Sequence, residues 1–173
     1  NCLKNISIVF KSKHEHNQDV FINNFCVTEV IRSQEISSMV SSIALLKEVR
    51  EFLVSEQRKI GESGGLVAEG RDIGTKVFPD AELKIFLTAS IDERARRRKI
   101  ELENKHENII NFQELKQQIQ ERDFIDSTRK ISPLQKAEDA LEISTDGFTI
   151  NEIVEKITNI YDERIPEEIK KLI

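Results

Sequence analysis

Over the first sixty residues, the pattern of apolar positions changes from alternating to helical. Apolar and polar residues alternate over 6–10, as in a strand with one covered face. A second apolar run follows the polar loop 12–17 and ends at the Asn pair 23–24, which tolerates the positive φ of a hairpin turn. From Gln34 the apolar residues recur with helical spacing. The pattern predicts a small antiparallel sheet and then two helices that are broken near Leu46.

Beyond Gly61, short apolar runs alternate with segments of helical spacing. Glycines end the second helix, and we expect strands at 66–68, 83–87 and 141–144. Such alternation predicts a parallel sheet covered by helices, with ligand sites at the carboxyl ends of its strands, here 69–72 and 88–90. Helix starts are predicted at the capping boxes Ser90–Glu93, Asn111–Glu114 and Thr149–Glu152, with helix ends near Asn104, near Asp123 and before Pro166.

Composition and charge exclude several classes of function. The 173 residues suffice for one α/β-sized domain, and 38% hydrophobic with 33% charged residues is typical of a globular protein. A net charge of -5 disfavours nucleic-acid binding, and no apolar run approaches the ~20 residues of a membrane span. The two cysteines form no disulfide framework, and the pair His14 and His16 lacks a third metal ligand. We expect a cytoplasmic protein without a metal site.

Three groups of charged residues are candidates for phosphate binding, because a guanidinium group matches two phosphate oxygens. For each group an alternative stays open: an ion pair that closes a loop, or a solvated helix face balanced by nearby acids. The groups are Gly70-Arg71-Asp72 after a predicted strand; Arg94, Arg97 and Arg98 on a predicted helix; and Arg122-Asp123 with Asp126 and Arg129, in a predicted loop after a helix.

A long run from Val67 to Ser90 carries the pattern GRDxGTxVFPxAxxKxFLxAS. Further segments fit the same pattern: Glu93-Arg94-Ala95, Glu121-Arg122-Asp123, Ser132-Pro133-Leu134 and Ala137-x-Asp139-Ala140. Together they resemble the cytidylate (CMP) kinase family of nucleoside monophosphate kinases, over about residues 6–160.

The resemblance implies an α/β fold with a P-loop NTPase-type parallel sheet. It divides the chain into a monophosphate-binding insert of antiparallel strands and two helices (1–60) and part of the kinase core (61–173), with a lid at about 94–130. The family's G-x-x-x-x-G-K-[ST] loop, which cradles phosphates, does not occur in the printed sequence. We therefore interpret the sheet as incomplete, without its first strand and P-loop, and the isolated chain as inactive. A cyanobacterial pantoate ligase/cytidylate kinase fusion is compatible with this interpretation.

The resemblance also implies ATP-dependent phosphorylation of CMP and dCMP, with Mg²⁺, by a monomer. It assigns catalysis to three arginines, binding of the monophosphate to a larger set, and contacts with ATP to the lid. The catalytic residues are Arg71, Arg122 and Arg129; the substrate-binding residues are Ser41, Arg50, Arg71, Asp72, Arg122, Asp126 and Arg129; the lid residues are Arg94, Arg97 and Arg98.

Two alternatives remain open beside this interpretation. A UMP or TMP kinase of the same fold is disfavoured by the combination of Ser41, Arg50 and Asp72, which suits cytosine. A remnant that binds nucleotides without catalysis would keep the monophosphate pocket and lack the ATP loop.

Overall fold

The computed structural model describes residues 2–14, 17–104 and 111–170. These residues form two compact units, Asn1–Glu62 and Ser63–Ile173.

The first unit begins with a short 3₁₀ turn at Cys2–Asn5 and continues into the predicted antiparallel sheet, which has three strands within the described residues. In its central pairing Phe10 lies opposite Val20. The first strand continues through the polar residues 12–14, so the connecting loop is shorter than predicted. Polar residues can belong to the strand because backbone pairing does not require apolar side chains. The strands are β1 (Ile8–His14), β2 (Asn17–Ile22) and β3 (Phe25–Cys26).

The hairpin turn between β2 and β3 is made by Asn23 and Asn24, with φ of 48° and 71°. Asparagine tolerates this left-handed conformation better than most residues, and two consecutive positive φ values are typical of a two-residue hairpin turn. The Asn23 Oδ1 atom also accepts a hydrogen bond of 2.8 Å from the backbone N–H of Ser7. The predicted hairpin is therefore confirmed.

Two helices complete the first unit, α1 (Gln34–Ile43) and α2 (Lys47–Gly61). They are separated at Leu46, whose extended backbone interrupts the helical path as predicted. After α2, Gly64 and Gly65 adopt positive φ, a conformation that glycine takes at little cost.

The second unit contains a parallel pair of strands, β4 (Ile85–Thr88) and β5 (Leu141–Ser144), with Ile85 opposite Leu141. This pair and its helices confirm the predicted α/β class. The strand predicted at 66–68 is wrong: that segment is irregular and Val67 is fully exposed. A strand needs a neighbour to accept and donate its backbone hydrogen bonds, and within the described ranges no strand pairs with this segment.

Two long helices follow β4, namely α3 (Ile91–Asn104) and α4 (Phe112–Thr128). Their contact is built on a cluster of buried apolar side chains, against which half-buried residues pack. Burial of this apolar surface fixes α3 against α4. The cluster consists of Ala95, Leu102 and Leu115, flanked by Phe112 and Ile119.

The chain continues from β5 into α5 (Ile150–Arg164), which starts at the predicted capping box. Thr149 Oγ1 accepts from the Glu152 N–H, and the Glu152 carboxylate accepts from the Thr149 N–H at 2.7 Å. Pro166 interrupts the helix, as predicted, before the short α6 (Glu167–Lys170).

Candidate functional site

Three arginines in the second unit converge on the carboxylate of Asp126. Arg71 Nε lies 3.1 Å from Oδ2, Arg122 Nε lies 3.9 Å from Oδ2, and Arg129 Nη1 lies 3.3 Å from Oδ1. The side chains of Asp126 and Arg129 are only 7% and 5% exposed. Those of Arg71 and Arg122 are 35% and 58% exposed. A buried carboxylate thus holds three guanidinium groups, two of which remain accessible to a ligand.

Helix α4 positions Arg122 and Asp126, so the predicted loop at these residues is wrong. The helix continues to Thr128, and a spacing of four places both side chains on one helix face. No glycine or proline occurs between Asn111 and Ser132, and nothing in the sequence therefore ends the helix near Asp123.

The chain after α4 folds back onto Asp126. Arg129 Nε donates a hydrogen bond of 2.6 Å to the Ser132 carbonyl oxygen, and the Leu134 N–H donates one of 2.7 Å to the Asp126 carbonyl oxygen. Ser132 is buried and has a φ of 50°, which is uncommon for a residue with a side chain. These bonds hold the turn and keep Arg129 beside the carboxylate.

Arg71 stands next to Asp72, which begins a π-helical turn at Ile73–Val77. The Asp72 carbonyl oxygen accepts from the N–H groups of Lys76 (2.9 Å) and Val77 (3.3 Å). Asp72 and Val77 are both buried, so the turn is anchored to the interior. Single π-turns are often found at functional sites.

Arg94, the first predicted lid residue, forms a two-fold ion pair with Asp123 that joins α3 to α4. Its Nη1 contacts Asp123 Oδ2, and its Nη2 lies 2.9 Å from Oδ1. The hydrogen bonds that Arg94 donates to Asp123 raise the pKa of Arg94 above its ordinary value. Because the partners are 29 residues apart, sequence spacing alone does not reveal this pair.

The other two predicted lid residues are also held by protein acceptors. Arg97 donates to the Thr145 carbonyl oxygen at 2.6 Å and to Thr145 Oγ1 at 2.9 Å, and Arg98 donates to Glu101 at 2.7 Å. The positive charges of these arginines are thereby balanced within the protein.

Glu93 is the acidic centre of α3. Arg96 donates hydrogen bonds of 2.8 Å and 2.7 Å to its carboxylate, and Arg97 donates one of 2.7 Å. The hydrogen bonding from Arg96 is the largest cause that lowers the pKa of Glu93 from 4.5 to about 2; desolvation opposes this shift, and Arg97 adds to it.

We expect Glu93→Gln to lower the free energy of unfolding at neutral pH. In acid, we expect this difference between variant and wild type to be lost. A carboxyl whose pKa is lowered on folding stabilises the fold above its unfolded pKa, here 4.5, and loses that contribution as the pH falls toward about 2. Denaturant unfolding of wild type and variant at about pH 7 and about pH 3 measures this. Glu103→Gln, where Lys99 is 3.8 Å away, is the control on the same helix. A difference between wild type and Glu93→Gln that does not change with pH contradicts the prediction.

At the carboxyl ends of β4 and β5, polar residues connect the two strands. Thr145 Oγ1 donates to the Thr88 carbonyl oxygen at 3.0 Å, and the Asp146 carboxylate accepts from the Ser90 N–H at 2.9 Å and from its hydroxyl at 3.1 Å. Ser90 Oγ accepts from the Glu93 N–H, as the capping box predicts, but the Glu93 carboxylate faces arginines instead. The sequence analysis did not identify Thr145 and Asp146 as site residues. Their position directly after a predicted strand was the signal that could have identified them.

Two predicted site residues belong to the first unit. Arg50 lies on α2, where its Nε donates a hydrogen bond of 3.1 Å to the Ala44 carbonyl oxygen. Ser41 lies on α1, and its side chain is outside the described residues. The convergence on Asp126 thus concerns the second unit alone.

Other kinds of chemistry are poorly represented among the described residues. No group of three or more His, Cys, Asp or Glu there is arranged to hold a metal ion, and no helix among them is long and apolar enough to cross a membrane. His14 ends β1, whereas His16 lies outside the described residues. Cys26 is an exposed free thiol.

Comparison with known proteins gives a consistent result. The family model described as "Cytidylate kinase" matches residues 1–163. A bifunctional pantoate ligase/cytidylate kinase of Prochlorococcus marinus subsp. pastoris (strain CCMP1986 / NIES-2087 / MED4) is 70% identical over 97% of this chain and 33% of the relative. A relative of the same name in Prochlorococcus marinus strain MIT 9312 is 69% identical over 97% of this chain and 33% of the relative. Another, in strain NATL1A, is 52% identical over 98% of this chain and 33% of the relative. The chain spans about a third of the length of these relatives. Because the family model covers nearly all of its residues, the chain belongs to the cytidylate kinase family.

Proposed function

We propose that this chain carries the monophosphate site and lid of a kinase that phosphorylates CMP and dCMP with ATP. The observation that carries the proposal is the convergence of Arg71, Arg122 and Arg129 on Asp126. Three guanidinium groups converge on this one carboxylate, and such a concentration of positive charge suits an anionic ligand. Phosphoryl transfer depends mainly on positioning and charge neutralisation, and needs no protein nucleophile.

In the proposed reaction, a phosphate oxygen of CMP attacks the γ-phosphorus of ATP. A new O–P bond forms, the bond between the γ-phosphorus and the bridging oxygen of ADP breaks, and the products are CDP and ADP. Arg71 and Arg122 are accessible enough to exchange part of their contact with Asp126 for phosphate oxygens. Arg129 is buried beside the same carboxylate and adds its positive charge to the cluster.

Asp126 also has capacity for a further hydrogen bond. Its Oδ2 is buried and lies near Arg71 and Arg122, yet it accepts no hydrogen bond of good geometry from the described residues. A carboxylate oxygen of this kind is a suitable acceptor for a sugar hydroxyl. We therefore propose that Asp126 binds a hydroxyl group of the sugar in addition to holding the three arginines.

Selection of cytosine is proposed for Ser41, Arg50 and Asp72. Cytosine presents an exocyclic amine beside ring acceptors, so hydroxyl and carboxylate oxygens at the amine and a guanidinium donor at the ring would bind it. Uracil has a carbonyl oxygen in place of the amine and would leave those acceptors unsatisfied.

The lid arginines are proposed to bind ATP. To do so, Arg94, Arg97 and Arg98 must exchange their present acceptors for phosphate oxygens, which are equally suited to a guanidinium group. Mg²⁺ enters as part of the MgATP substrate; protein sites commonly hold it through few carboxylates together with substrate phosphates. No cage of acidic residues is therefore required from this chain.

The whole protein is proposed to resemble its relatives in joining this region to a pantoate ligase. We expect it to act as a monomer in the cytoplasm, where CMP and ATP are available. The isolated chain is expected to be inactive, because its sequence contains no G-x-x-x-x-G-K-[ST] loop to bind the phosphates of ATP.

A coupled assay with MgATP and CMP, dCMP, UMP, TMP and AMP tests the proposal on the complete gene product and on this chain. We expect the complete product to use CMP and dCMP at least roughly tenfold better, in kcat/KM, than the other three. This chain should show no turnover. Reactions without monophosphate give the background of ATP hydrolysis.

Each other outcome of the assay contradicts a specific part of the proposal. Preference for UMP or TMP overturns the assignment of cytosine selection. Failure of the complete product with every monophosphate favours the remnant that binds nucleotides without catalysis. Turnover by the isolated chain overturns its expected inactivity.

A further inference from the structure

Lys84, the residue directly before β4, has a nearly buried side chain that the proposed chemistry does not use. The side chain is 8% exposed, and its ammonium group lies 2.6 Å from Asp139 Oδ2 and donates to the Pro79 carbonyl oxygen. Lysine is rarely buried without a partner. Here two acceptors hold it, one of them 55 residues away in the sequence, which indicates a specific structural task.

The stem of Lys84 lies close to the π-helical turn Ile73–Val77. A Cβ atom added to Gly74 would lie 3.4 Å from Lys84 Cδ and 3.6 Å from Cγ, so the lysine methylenes border the turn across a gap that one methyl group would fill. The ammonium then reaches Pro79, just beyond the turn. Lys84 therefore borders the turn at Gly74 and holds the chain that leaves it.

Arg71 and Asp72 stand at the other end of the same turn. The Asp72 carbonyl oxygen accepts from the N–H groups of Lys76 and Val77, which makes Asp72 part of the hydrogen-bonded turn. The backbone of Lys84 is itself fixed, because its carbonyl oxygen accepts from the Leu141 N–H at 2.9 Å. A shift of the turn away from Lys84 would consequently move Asp72 and, with it, Arg71.

Asp139 fixes the ammonium from the segment that leads into β5. Its own side chain is exposed, and the hydrogen bond from Lys84 lowers the pKa of its carboxyl below the ordinary value. The carboxylate is thus charged at neutral pH and orients Lys84 Nζ toward Pro79.

We propose that Lys84 and Asp139 are positioning residues that hold the turn Ile73–Val77 and so set where Arg71 and Asp72 meet the monophosphate. The proposal rests on the proposed function for its ligand. Lys84 donates to Asp139 and to the Pro79 carbonyl oxygen, and among the described residues no hydrogen bond or ion pair joins Lys84 or Asp139 to a residue assigned to the substrate. Their effect should therefore be confined to the site that the turn carries.

The first test is the kinetics of Lys84→Met in the complete gene product, because methionine keeps the apolar stem and removes the charge. We expect the KM for CMP to rise by at least roughly tenfold, since small displacements of binding groups have large effects, while the KM for ATP changes less than about twofold. Asp139→Asn, at an exposed position, should shift the KM for CMP in the same direction. This second variant provides the measurement if Lys84→Met folds poorly. Lys136→Met is the matched control, since Lys136 forms an exposed ion pair of 3.2 Å with Glu142 on β5.

The second test is hydrogen exchange at Lys76, Val77 and Phe78, whose N–H groups close the turn. We expect exchange there to accelerate by at least roughly tenfold in Lys84→Met, with α5 unchanged. Unchanged exchange in the turn, or equal rises in both KM values, overturns the proposal; a merely structural role would lower stability and leave both KM values unchanged. If the wild type accepts no monophosphate, the proposed function fails, and the exchange experiment still decides whether Lys84 holds the turn.

Discussion

Replacing Asp126 with alanine is expected to lower the free energy of unfolding of this chain by about 3 to 5 kcal/mol, the usual cost of breaking a buried ion pair from one side. The Arg129 side chain is almost completely buried, and its Nη1 lies 3.3 Å from Asp126 Oδ1. The variant would remove this negative charge from beside a guanidinium group that stays in the interior. Denaturant unfolding at neutral pH measures the loss.

Asp123→Ala provides the matched control for this stability prediction. Asp123 lies one turn earlier on α4 and also binds an arginine, Arg94, but both side chains are partly exposed. Its loss should cost only about 1 kcal/mol, because solvent screens the pair and the freed arginine becomes hydrated. An Asp126→Ala variant no less stable than Asp123→Ala would contradict the assigned role of the buried carboxylate.

Replacing Arg71 with methionine is expected to lower kcat for CMP by about 10²- to 10³-fold, the range seen when a donor that stabilises transition-state charge is removed. Arg71 is the accessible member of the cluster that also adjoins the buried Asp72. Steady-state kinetics of the complete gene product, with CMP and ATP varied separately, measure this effect. Arg71→Lys keeps the charge without the planar fork and should recover only part of the activity.

Arg96→Met is the control for the loss of a cation. Arg96 lies on α3, is exposed and pairs with Glu93, and no substrate contact is assigned to it. We expect its kcat to stay within about twofold of wild type, as for an ordinary surface ion pair. An Arg71→Met enzyme as active as Arg96→Met would remove Arg71 from the proposed chemistry.

Local sequence was sufficient wherever the structural cause lies within a few residues. The Asn23-Asn24 turn follows from the tolerance of asparagine for positive φ, and the start of α5 follows from reciprocal hydrogen bonds across Thr149–Glu152. The break at Leu46 and the interruption at Pro166 are equally local. These elements could be predicted without knowledge of their neighbours.

Prediction failed where an element depends on distant partners. The segment 66–68 has an apolar strand-like sequence, but a strand also requires a paired neighbour, and none adjoins it among the described residues. The end of α4 is a different case: no glycine or proline marks an end near Asp123, and the helix continues to Thr128, where the contacts from Arg129 to Ser132 and from Leu134 to Asp126 form the following turn.

For the candidate site, the sequence by itself determined the residue types and, through the motif from Val67 to Ser90, the family. The tertiary structure decided which charges meet. It brings Arg71 to Asp126 and pairs Arg94 with Asp123, and it joins Lys84 to Asp139 across a separation of 55 residues. The physical reason is that the strength of an ion pair depends on the distance between its charges in space. The packing of α3 on α4 and the pairing of β4 with β5 set those distances.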